Sequence, residues 1–455
     1  MATAQANAAD VVVVGAGFAG LTTARELVAK GHSVIVLEAR DRVGGRVLVQ
    51  SIGDGQVVDV GGQWTGPGQD RILALAGAVG VESFPTYGAE SQHVQYRSGE
   101  LVTYSGPLPD TDPALLGEFV GAMQRLDEMA REVPVEAPWT APNAHEWDAQ
   151  TFQGWMDANL TSDGTKAFMR TVIEAVYAVE PHDLSLLYML FYARGGGGLL
   201  NLTGTEGGAQ QDRFEGGAQL VALRVAEELG ERVRLSAPVR RISQDSSGVR
   251  VEGDGFSYQG QRAIVTVPPA LAGRIEYRPA MPALRDQLTQ RAPMGSVIKV
   301  NAVYDEPFWR AEGMSGRAVS DTGPVKFTYD NSPRGGAPGV LVGFIEGGDS
   351  RRYSSATEAE RRQAVLGCFE RYFGPRAAKP REYIERDWSA EEYSRGGYGA
   401  VFPAGTLVSC GAALREPVGR IHWAGTETAT AFMGYMDGAV RSGERAAAEV
   451  LALLN

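Results

Sequence analysis

The sequence predicts an α/β fold of two domains. Its 455 residues exceed what one ordinary hydrophobic core accommodates. Near the beginning of the chain, an apolar run, a glycine-rich turn and a helical pattern follow one another, which is typical of a nucleotide-binding unit. Strand-like and helical patterns then alternate through the rest of the sequence.

The first predicted unit is a strand, a helix and a second strand. Residues 10–14 read DVVVV, an almost wholly apolar run that suits a central parallel strand. After the turn at residues 15–20, the segment LTTARELVAKG predicts a helix that ends at Gly31. The run SVIVLEA at residues 33–39 predicts the second strand. Together these segments form a βαβ unit.

The remaining chain predicts further strands and helices, without an internal repeat or a long linker. Strands are predicted within residues 56–66, 263–269 and 294–345, and two prolines stop the second of them. The predicted helical segments are most of 110–195, residues 222–230, residues 358–374 and the end of the C-terminal segment 421–454.

Composition and charge exclude several classes of protein. The balance of 44% apolar and 22% charged residues is ordinary for a globular protein, and the formal net charge is −12. Because phosphate backbones require a basic surface, nucleic acid is not an expected partner. The two cysteines, Cys368 and Cys410, cannot form a disulfide framework, and the five histidines lack metal-ligand spacing, so no metal site is expected.

Signals for secretion or membrane insertion are not recognisable. The first ten residues lack the basic and apolar regions of a secretory signal. The longest apolar stretches fall far short of the roughly 20 residues that a membrane helix needs. We therefore expect a soluble, cytoplasmic protein that has no membrane partner.

A GxGxxG motif lies directly between the first strand and the first helix, at Gly15, Gly17 and Gly20. The first glycine permits a tight turn, the second lets a pyrophosphate approach the backbone, and the third lets helix and strand pack closely. The helix N-terminus would present free N–H groups to the phosphates. Glu38, at the end of the second strand, is placed to bind a ribose hydroxyl. The motif predicts a Rossmann-like dinucleotide site, but it does not distinguish FAD from NAD.

Several longer segments resemble the flavin amine oxidase family, which includes the monoamine oxidases and the polyamine oxidases. The first of them extends the glycine motif toward the flavin side of the cofactor. The resemblance covers about residues 10–450. The matching segments are EARDRVGGR (38–46), DVGGQW (59–64), GSVIK (295–299), EPFW (306–309), GRIHWAGTETAT (419–430) and GYMDGAV (434–440).

The resemblance implies a FAD-dependent amine oxidase. Such an enzyme takes a hydride equivalent from the carbon next to the nitrogen of a primary amine. The resulting imine hydrolyses to an aldehyde or ketone and ammonia, and oxygen is reduced to hydrogen peroxide. The resemblance also implies a FAD-binding domain formed by residues 8–85, 206–275 and 386–455. A substrate-binding domain, with a mixed sheet over the flavin and helices around it, is then formed by residues 86–205 and 276–385. A homodimer is a further expectation.

The family's functional residues match positions of this sequence. Tyr398 and Tyr435 match two tyrosines that form an aromatic cage in front of the flavin and orient the amine. Lys299 matches a lysine that holds a water near flavin N5, and its apolar segment SVIKV predicts a buried side chain with a lowered pKa. The implied cofactor-binding residues are Gly15, Gly17, Gly20, Glu38, Arg40, Gly45, Arg46, Gly62, Gln63, Trp64, Val239, Trp388, Gly425, Glu427 and Met436. The implied substrate-binding residues are Leu202, Thr203, Gln210 and Phe327.

One position departs from the family pattern. Many monoamine oxidases attach FAD through a cysteine immediately before the first cage tyrosine, whereas this sequence has Gly397 there. Cys410 lies outside the motif. We therefore expect noncovalent FAD.

The sequence leaves three alternatives for the substrate, namely a monoamine, a diamine or polyamine, and an amino acid. The implied substrate-binding side chains are apolar or neutral, which favours a small primary monoamine with an aromatic, alicyclic or alkyl body. A diamine or polyamine such as putrescine would require an acid for its second ammonium group, and Glu206 is the candidate that the sequence offers. An amino acid would require an arginine for its carboxylate, for which Arg194 and Arg395 are weak candidates.

Two further classes of protein could share part of this pattern. A protein that binds FAD without catalysis would share the cofactor motifs, so it is a third alternative. An NAD dehydrogenase is disfavoured, because that fold does not need the motif at residues 40–46 or the C-terminal flavin segment.

Overall fold

A computed structural model describes residues 7–88, 90–109 and 112–454. Mixed sheets and helices confirm the predicted α/β class. The strands, in chain order, are β1 (Ala8–Val14), β2 (Val34–Leu37), β3 (Val49–Gly53), β4 (Gln56–Asp59), β5 (Trp64–Thr65), β6 (Ser83–Pro85), β7 (Gln92–Arg97), β8 (Glu100–Tyr104), β9 (Asp212–Phe214), β10 (Val233–Arg234), β11 (Val239–Gln244), β12 (Val249–Gly253), β13 (Phe256–Val265), β14 (Glu276–Arg278), β15 (Val297–Tyr304), β16 (Met314–Ser320), β17 (Val325–Asp330), β18 (Gly339–Glu346), β19 (Glu382–Asp387) and β20 (Ile421–Trp423).

The α-helices occupy much of the chain between these strands. They are α1 (Phe18–Ala29), α2 (Asp70–Ala78), α3 (Pro113–Arg131), α4 (Ala144–Asp148), α5 (Phe152–Asn159), α6 (Asp163–Tyr177), α7 (Leu186–Gly195), α8 (Leu199–Thr203), α9 (Ala218–Leu229), α10 (Pro269–Ala272), α11 (Ala283–Gln290), α12 (Phe308–Ala311), α13 (Gly347–Tyr353), α14 (Glu358–Phe373), α15 (Thr406–Cys410) and α16 (Met436–Leu454). No helix among the described residues is long and apolar enough to cross a membrane.

The first large sheet is built around the predicted βαβ unit. β1 pairs in parallel with β2 on one side and with β13 on the other. Val11 and Val13 pack into the core shared with α1, α9 and α16, whereas Val12 and Val14 pack on the opposite face. Because both faces of this strand are covered, the run of four valines is buried throughout, as the sequence predicts. The strand order is β10-β2-β1-β13-β12-β11-β14, and β20 pairs with the end of β13.

The second large sheet contains the long strands of the middle of the chain, in the order β19-β15-β18-β17-β16-β7-β8. Ile298 and Val300 on β15 pack against Phe369 on α14. Since alternate residues of a strand point to opposite faces, Val297 and Lys299 face away from α14. That opposite face of the sheet lies toward the functional site.

A helical layer packs beside the two sheets. Its core joins aromatic residues of α3, α5 and α7, including Phe119, Phe152 and Tyr188. The helical prediction for residues 110–195 is confirmed from α3 onward, while residues 110 and 111 lie outside the described part of the chain. The first six residues, which bear on the prediction that there is no secretory signal, also lie outside it.

Element boundaries differ from the sequence prediction in places. The strand predicted at 263–269 ends at Val265, because Pro268 is the N-cap of α10 and Pro269 is its first residue. The first helix begins at Phe18, three residues earlier than its apolar pattern indicates. The proposed division into two domains stays a prediction.

Candidate active site

One cavity runs between the two large sheets, with a water-accessible volume of about 390 Å³. It begins at the glycine-rich turn after β1 and ends among aromatic side chains of β8 and β17. Apart from Gly20 and Glu427, every site residue predicted from the sequence lines it. Residues separated by several hundred positions in the chain are therefore brought to one place.

The glycine-rich turn leaves the N-terminus of α1 open to the cavity. A Cβ atom on Gly20 would lie 1.9 Å from the carbonyl oxygen of Gly15, so only glycine lets the helix pack this close to the turn. Gly17, the N-cap residue of α1, provides no side-chain cap, and it lines the cavity together with Phe18. The first N–H groups of α1 can therefore bind the phosphates of a ligand.

Glu38 follows β2 directly and lies beside this turn. Its two carboxylate oxygens accept hydrogen bonds from the backbone N–H groups of Ala16 (2.8 Å) and Arg40 (3.0 Å). Because each oxygen of an ionised carboxylate has two lone pairs, Glu38 keeps the capacity to accept hydrogen bonds from ribose hydroxyls. Val239 on β11 lines the same end of the cavity.

An ion pair connects the 38–46 motif to the C-terminal motif. Arg46 donates to both carboxylate oxygens of Glu427, at 2.5 and 3.1 Å, and to the backbone oxygen of Tyr398 at 2.8 Å. Burial raises the pKa of Glu427, but the charge and hydrogen bonds of Arg46 and the backbone hydrogen bonds together outweigh it, and the net pKa lies below its usual value. Glu427 itself does not line the cavity, but it holds Arg46, which does.

Lys299 is buried in the apolar strand that the sequence predicts. Its ammonium group donates to the backbone oxygen of Gly61 at 2.7 Å and to the side-chain oxygen of Gln63. The rings of Trp64 and Phe344 have their centroids 5.6 Å from Nζ. Burial lowers the pKa of Lys299, and the buried carboxylate of Asp59 only partly opposes this effect.

The backbone carbonyls of residues 59–61, here called the 59–61 segment, each accept a side-chain hydrogen bond. The donors are Asn301 for Asp59 (3.3 Å), Trp388 for Val60 (2.8 Å) and Lys299 for Gly61 (2.7 Å). Asn301 and Lys299 lie on β15, and Trp388 follows β19, so all three donors come from the second sheet or the chain directly after it. These hydrogen bonds therefore attach the 59–61 segment to the second sheet.

Tyr398 and Tyr435 line the cavity near Lys299. The hydroxyl group of Tyr398 donates to Oε1 of Glu346 at 2.6 Å, and its ring packs against that of Phe344. Tyr435 directly precedes α16, and its ring packs against those of Tyr192 and Phe432. Each of the two rings is thus held by neighbours outside its own motif.

The far end of the cavity is mainly apolar. Leu202, Thr203, Gln210 and Phe327 line it, and the ring of Phe327 packs with those of Tyr104 and Tyr329. The amide nitrogen of Gln210 donates to the Leu202 carbonyl at 2.9 Å. Among the described residues, the side-chain oxygen of Gln210 is buried without a hydrogen-bond partner, as is the indole nitrogen of Trp64.

Sequence reasoning missed several residues that line the cavity, chiefly Glu346, Arg317, Phe344 and Tyr329. A signal for Glu346 does exist, because it is the single charged residue of the otherwise apolar segment GVLVGFIE that forms β18. Nothing local distinguishes Arg317, whose Nε is buried without a partner among the described residues. The residues expected for a diamine or an amino acid substrate, Glu206, Arg194 and Arg395, do not line the cavity.

The residues present fit a flavin dinucleotide. The turn offers glycine backbone and free N–H groups at one end, with an acidic residue beside them for a ribose. The other end of the cavity is aromatic. There, the indole nitrogen of Trp64 and the side-chain oxygen of Gln210 are buried and lack hydrogen-bond partners in the described part of the chain. Such atoms require a ligand or water to satisfy them.

Comparison with known proteins agrees with this geometry. A family model described as flavin containing amine oxidoreductase matches residues 18–451. A Mycobacterium tuberculosis protein named as a flavin-containing monoamine oxidase, AofH, is 44% identical over 445 residues, which cover 98% of this chain and 97% of that protein.

Two solved structures are also similar. Putrescine oxidase, in a structure described as bound to putrescine, is 36% identical with a TM-score of 0.94. Cyclohexylamine oxidase from Brevibacterium oxydans IH-35A is 34% identical with a TM-score of 0.94. Each alignment covers 98% of this chain and 99% of the other.

Replacing Gly20 by alanine should impair dinucleotide binding. The added methyl group would collide with backbone, at 1.9 Å from the Gly15 oxygen, so α1 must shift away from the turn. Overpacking of this kind costs about 1–3 kcal/mol, and if the cofactor complex bears this cost its affinity falls by roughly fivefold to 150-fold. Flavin content after gel filtration and titration of the apoprotein with FAD measure the effect.

Gly77→Ala is the matched control, because Gly77 lies in α2 and a Cβ there meets nothing within 4 Å. This variant should bind FAD normally and gain up to about 1 kcal/mol in stability. Normal FAD affinity in Gly20→Ala would contradict the role assigned to the close packing of α1.

Proposed function

The chain belongs to the flavin-containing amine oxidoreductase family, and we propose that it oxidises small primary monoamines with an apolar body and passes the electrons to oxygen. Membership makes the protein an FAD-dependent amine oxidase. The part of the cavity lined by Tyr398, Tyr435 and Lys299 is here called the cage end. The observation that carries the proposal is that the far end, around Phe327, is apolar.

The charges of the cavity support a monoamine over a diamine. A diamine would bury its second ammonium group at the far end, where a carboxylate partner is needed to offset desolvation. The carboxyl group of Glu346 lines the cavity, but it is already hydrogen-bonded to the cage residue Tyr398. The cation Arg317 shares the wall with Tyr104, Phe327 and Tyr329, where it would repel a second ammonium group.

The protein's contribution to the reaction is to orient the amine and exclude water. Bound FAD supplies the two-electron oxidation of the amine and the later transfer of those electrons to oxygen. Tyr398 and Tyr435 present aromatic faces that attract and align the amine. The packed rings of Phe344 and Tyr329 keep the surroundings apolar. The imine product then hydrolyses to an aldehyde or ketone and ammonia.

Lys299 is proposed to assist the oxygen reaction. Its buried position and lowered pKa allow it to exist as either amine or ammonium near neutral pH. A positive charge or a proton held at Nζ, close to the aromatic rings of the cage end, would stabilise negative charge that develops as oxygen is reduced. The hydrogen bonds to Gly61 and Gln63 hold Nζ in that position.

FAD is proposed to bind without a covalent bond. Gly397 lines the cavity at the position where a cysteine would attach the cofactor. Cys368 and Cys410 are buried free thiols, and neither belongs to the cavity lining. The described chain therefore offers no thiol within the site.

A substrate panel tests the proposed function. Benzylamine and cyclohexylamine should yield hydrogen peroxide, whereas putrescine should have a kcat/KM at least about tenfold lower because its second ammonium would be buried without a partner. Peroxide release under air measures all three in parallel. Equal or faster turnover of putrescine would favour the diamine alternative. Failure of every amine to bleach the flavin anaerobically would favour a non-catalytic flavoprotein.

Replacing Lys299 by methionine should slow reoxidation of the reduced flavin by on the order of 100-fold, while reduction by the amine changes much less. Stopped-flow absorbance separates the two half-reactions. Lys166→Met, which removes a surface lysine on α6, is the control and should match the wild type. If reoxidation in Lys299→Met proceeds at the wild-type rate, the assignment is wrong.

Acid precipitation should release all of the flavin into the supernatant, because no thiol lines the site. Absorbance of the pellet and of the supernatant measures the distribution. A yellow pellet would show a covalent bond and refute this expectation.

A further inference from the structure

Glu346 is a buried carboxyl group at the cage end of the cavity, and neither the sequence nor the family resemblance assigns it a role. It is the last residue of β18, it is 7% exposed, and it lines the cavity. Its Oε1 accepts the hydroxyl hydrogen bond of Tyr398 at 2.6 Å. Because burying a carboxyl group is costly, its position at this point requires a physical explanation.

We propose that Glu346, acting through the hydroxyl group of Tyr398, accepts a proton from the substrate's ammonium group and so delivers the amine to the cage as the free base. The inference rests on the proposed function, since it requires an amine substrate between the two tyrosines. Amines are mostly protonated near neutral pH, whereas oxidation requires a lone pair on nitrogen. A group that removes the proton inside the cavity would therefore extend the enzyme's activity to lower pH.

The location of Glu346 indicates that it serves the reacting nitrogen. It is bonded to a cage tyrosine, and it pairs across the sheet with Val297, two residues before Lys299. Arg317, whose charge would repel a second ammonium group, also lines the cavity, and Tyr329 faces both Arg317 and Glu346. The direct bond to Tyr398 therefore associates Glu346 with the nitrogen that the cage holds.

Proton transfer through Tyr398 balances without a further reactant. The ammonium group gives one proton to the Tyr398 oxygen, and the Tyr398 hydroxyl gives its own proton to Oε1 of Glu346. The products are a neutral amine, an unchanged tyrosine and a protonated Glu346. When the product leaves, Glu346 returns its proton to solvent.

The electrostatic surroundings support a base of moderate strength. Burial raises the pKa of Glu346 to about 8, and the hydrogen bond from Tyr398 lowers it only in part. Glu174 on α6 raises the pKa further, while Lys326 on β17 lowers it and is itself bonded to Glu174. The phenol of Tyr329 on β17 also faces Glu346. An alkylammonium has a pKa of about 10 in water, and burial lowers it toward that of Glu346.

The test is the rate of anaerobic flavin reduction by cyclohexylamine as a function of pH, in the wild type and in Glu346→Gln. Glutamine keeps an oxygen that accepts the Tyr398 hydrogen bond, but it cannot take up a proton. Near pH 7.5 the ratio of the reduction rate to the dissociation constant should fall by about 100-fold. The deficit should shrink to about twofold near pH 10, because solvent then supplies the free amine.

Three further variants sharpen the test. Asp305→Asn removes an equal charge from an exposed side chain that does not line the cavity, and it should follow the wild type. Glu346→Asp retains a carboxyl group and should recover part of the rate near neutral pH. Tyr398→Phe keeps the ring but removes the hydroxyl group, so it should reproduce the pH-dependent deficit even if Glu346→Gln does not fold.

The outcomes separate the inference from the proposed function. If no amine reduces the wild-type flavin, the proposed function fails, and the inference fails with it. If the wild type is reduced but both Glu346→Gln and Tyr398→Phe lose the same factor at every pH, Glu346 has only a structural role. The absence of any deficit near neutral pH would also overturn the inference.

Discussion

The 59–61 segment is the constraint on which the rest of the site depends. Its three consecutive carbonyls are held by side chains of Asn301, Trp388 and Lys299, so the turn that follows β4 is fixed to the second sheet. Buried carbonyls without partners are costly, and each of these donors is itself buried. The same contacts therefore fix this part of the cavity wall and the position of the Lys299 ammonium group.

Ionisable groups near the cavity occur in environments that shift their pKa values in different directions. Arg46 keeps Glu427 ionised despite burial, whereas Glu346 has no such bidentate partner and its pKa rises. Lys299 shows the complementary effect, because desolvation disfavours its ammonium form. The Arg46–Glu427 ion pair therefore lies near two groups that can exchange protons, Glu346 and Lys299. Shifted pKa values of this kind are typical of an active site.

The elements that depend on local sequence were predictable. The valine run of β1 must be a covered strand, and Gly20 must lack a side chain because α1 packs against Gly15. The burial of Lys299 was predictable as well, since a lysine within SVIKV occupies one face of a strand whose neighbours are apolar. The family resemblance then predicted that Gln210 and Phe327 line the substrate cavity. The hydrophobic periodicity of the sequence would not have identified these two residues.

The sequence by itself determined the α/β class, the dinucleotide turn and the membership of the amine oxidoreductase family. Each of these is recognisable from contiguous segments that have strong backbone or packing requirements. Only the tertiary structure decided which acid and which cation face the cavity. Glu346 and Tyr398 lie 52 positions apart and meet through sheet packing, and Arg317 reaches the wall from β16. Contacts of this kind depend on how β16, β18 and the loop that contains Tyr398 are held relative to one another, and no local pattern of residues encodes those distances.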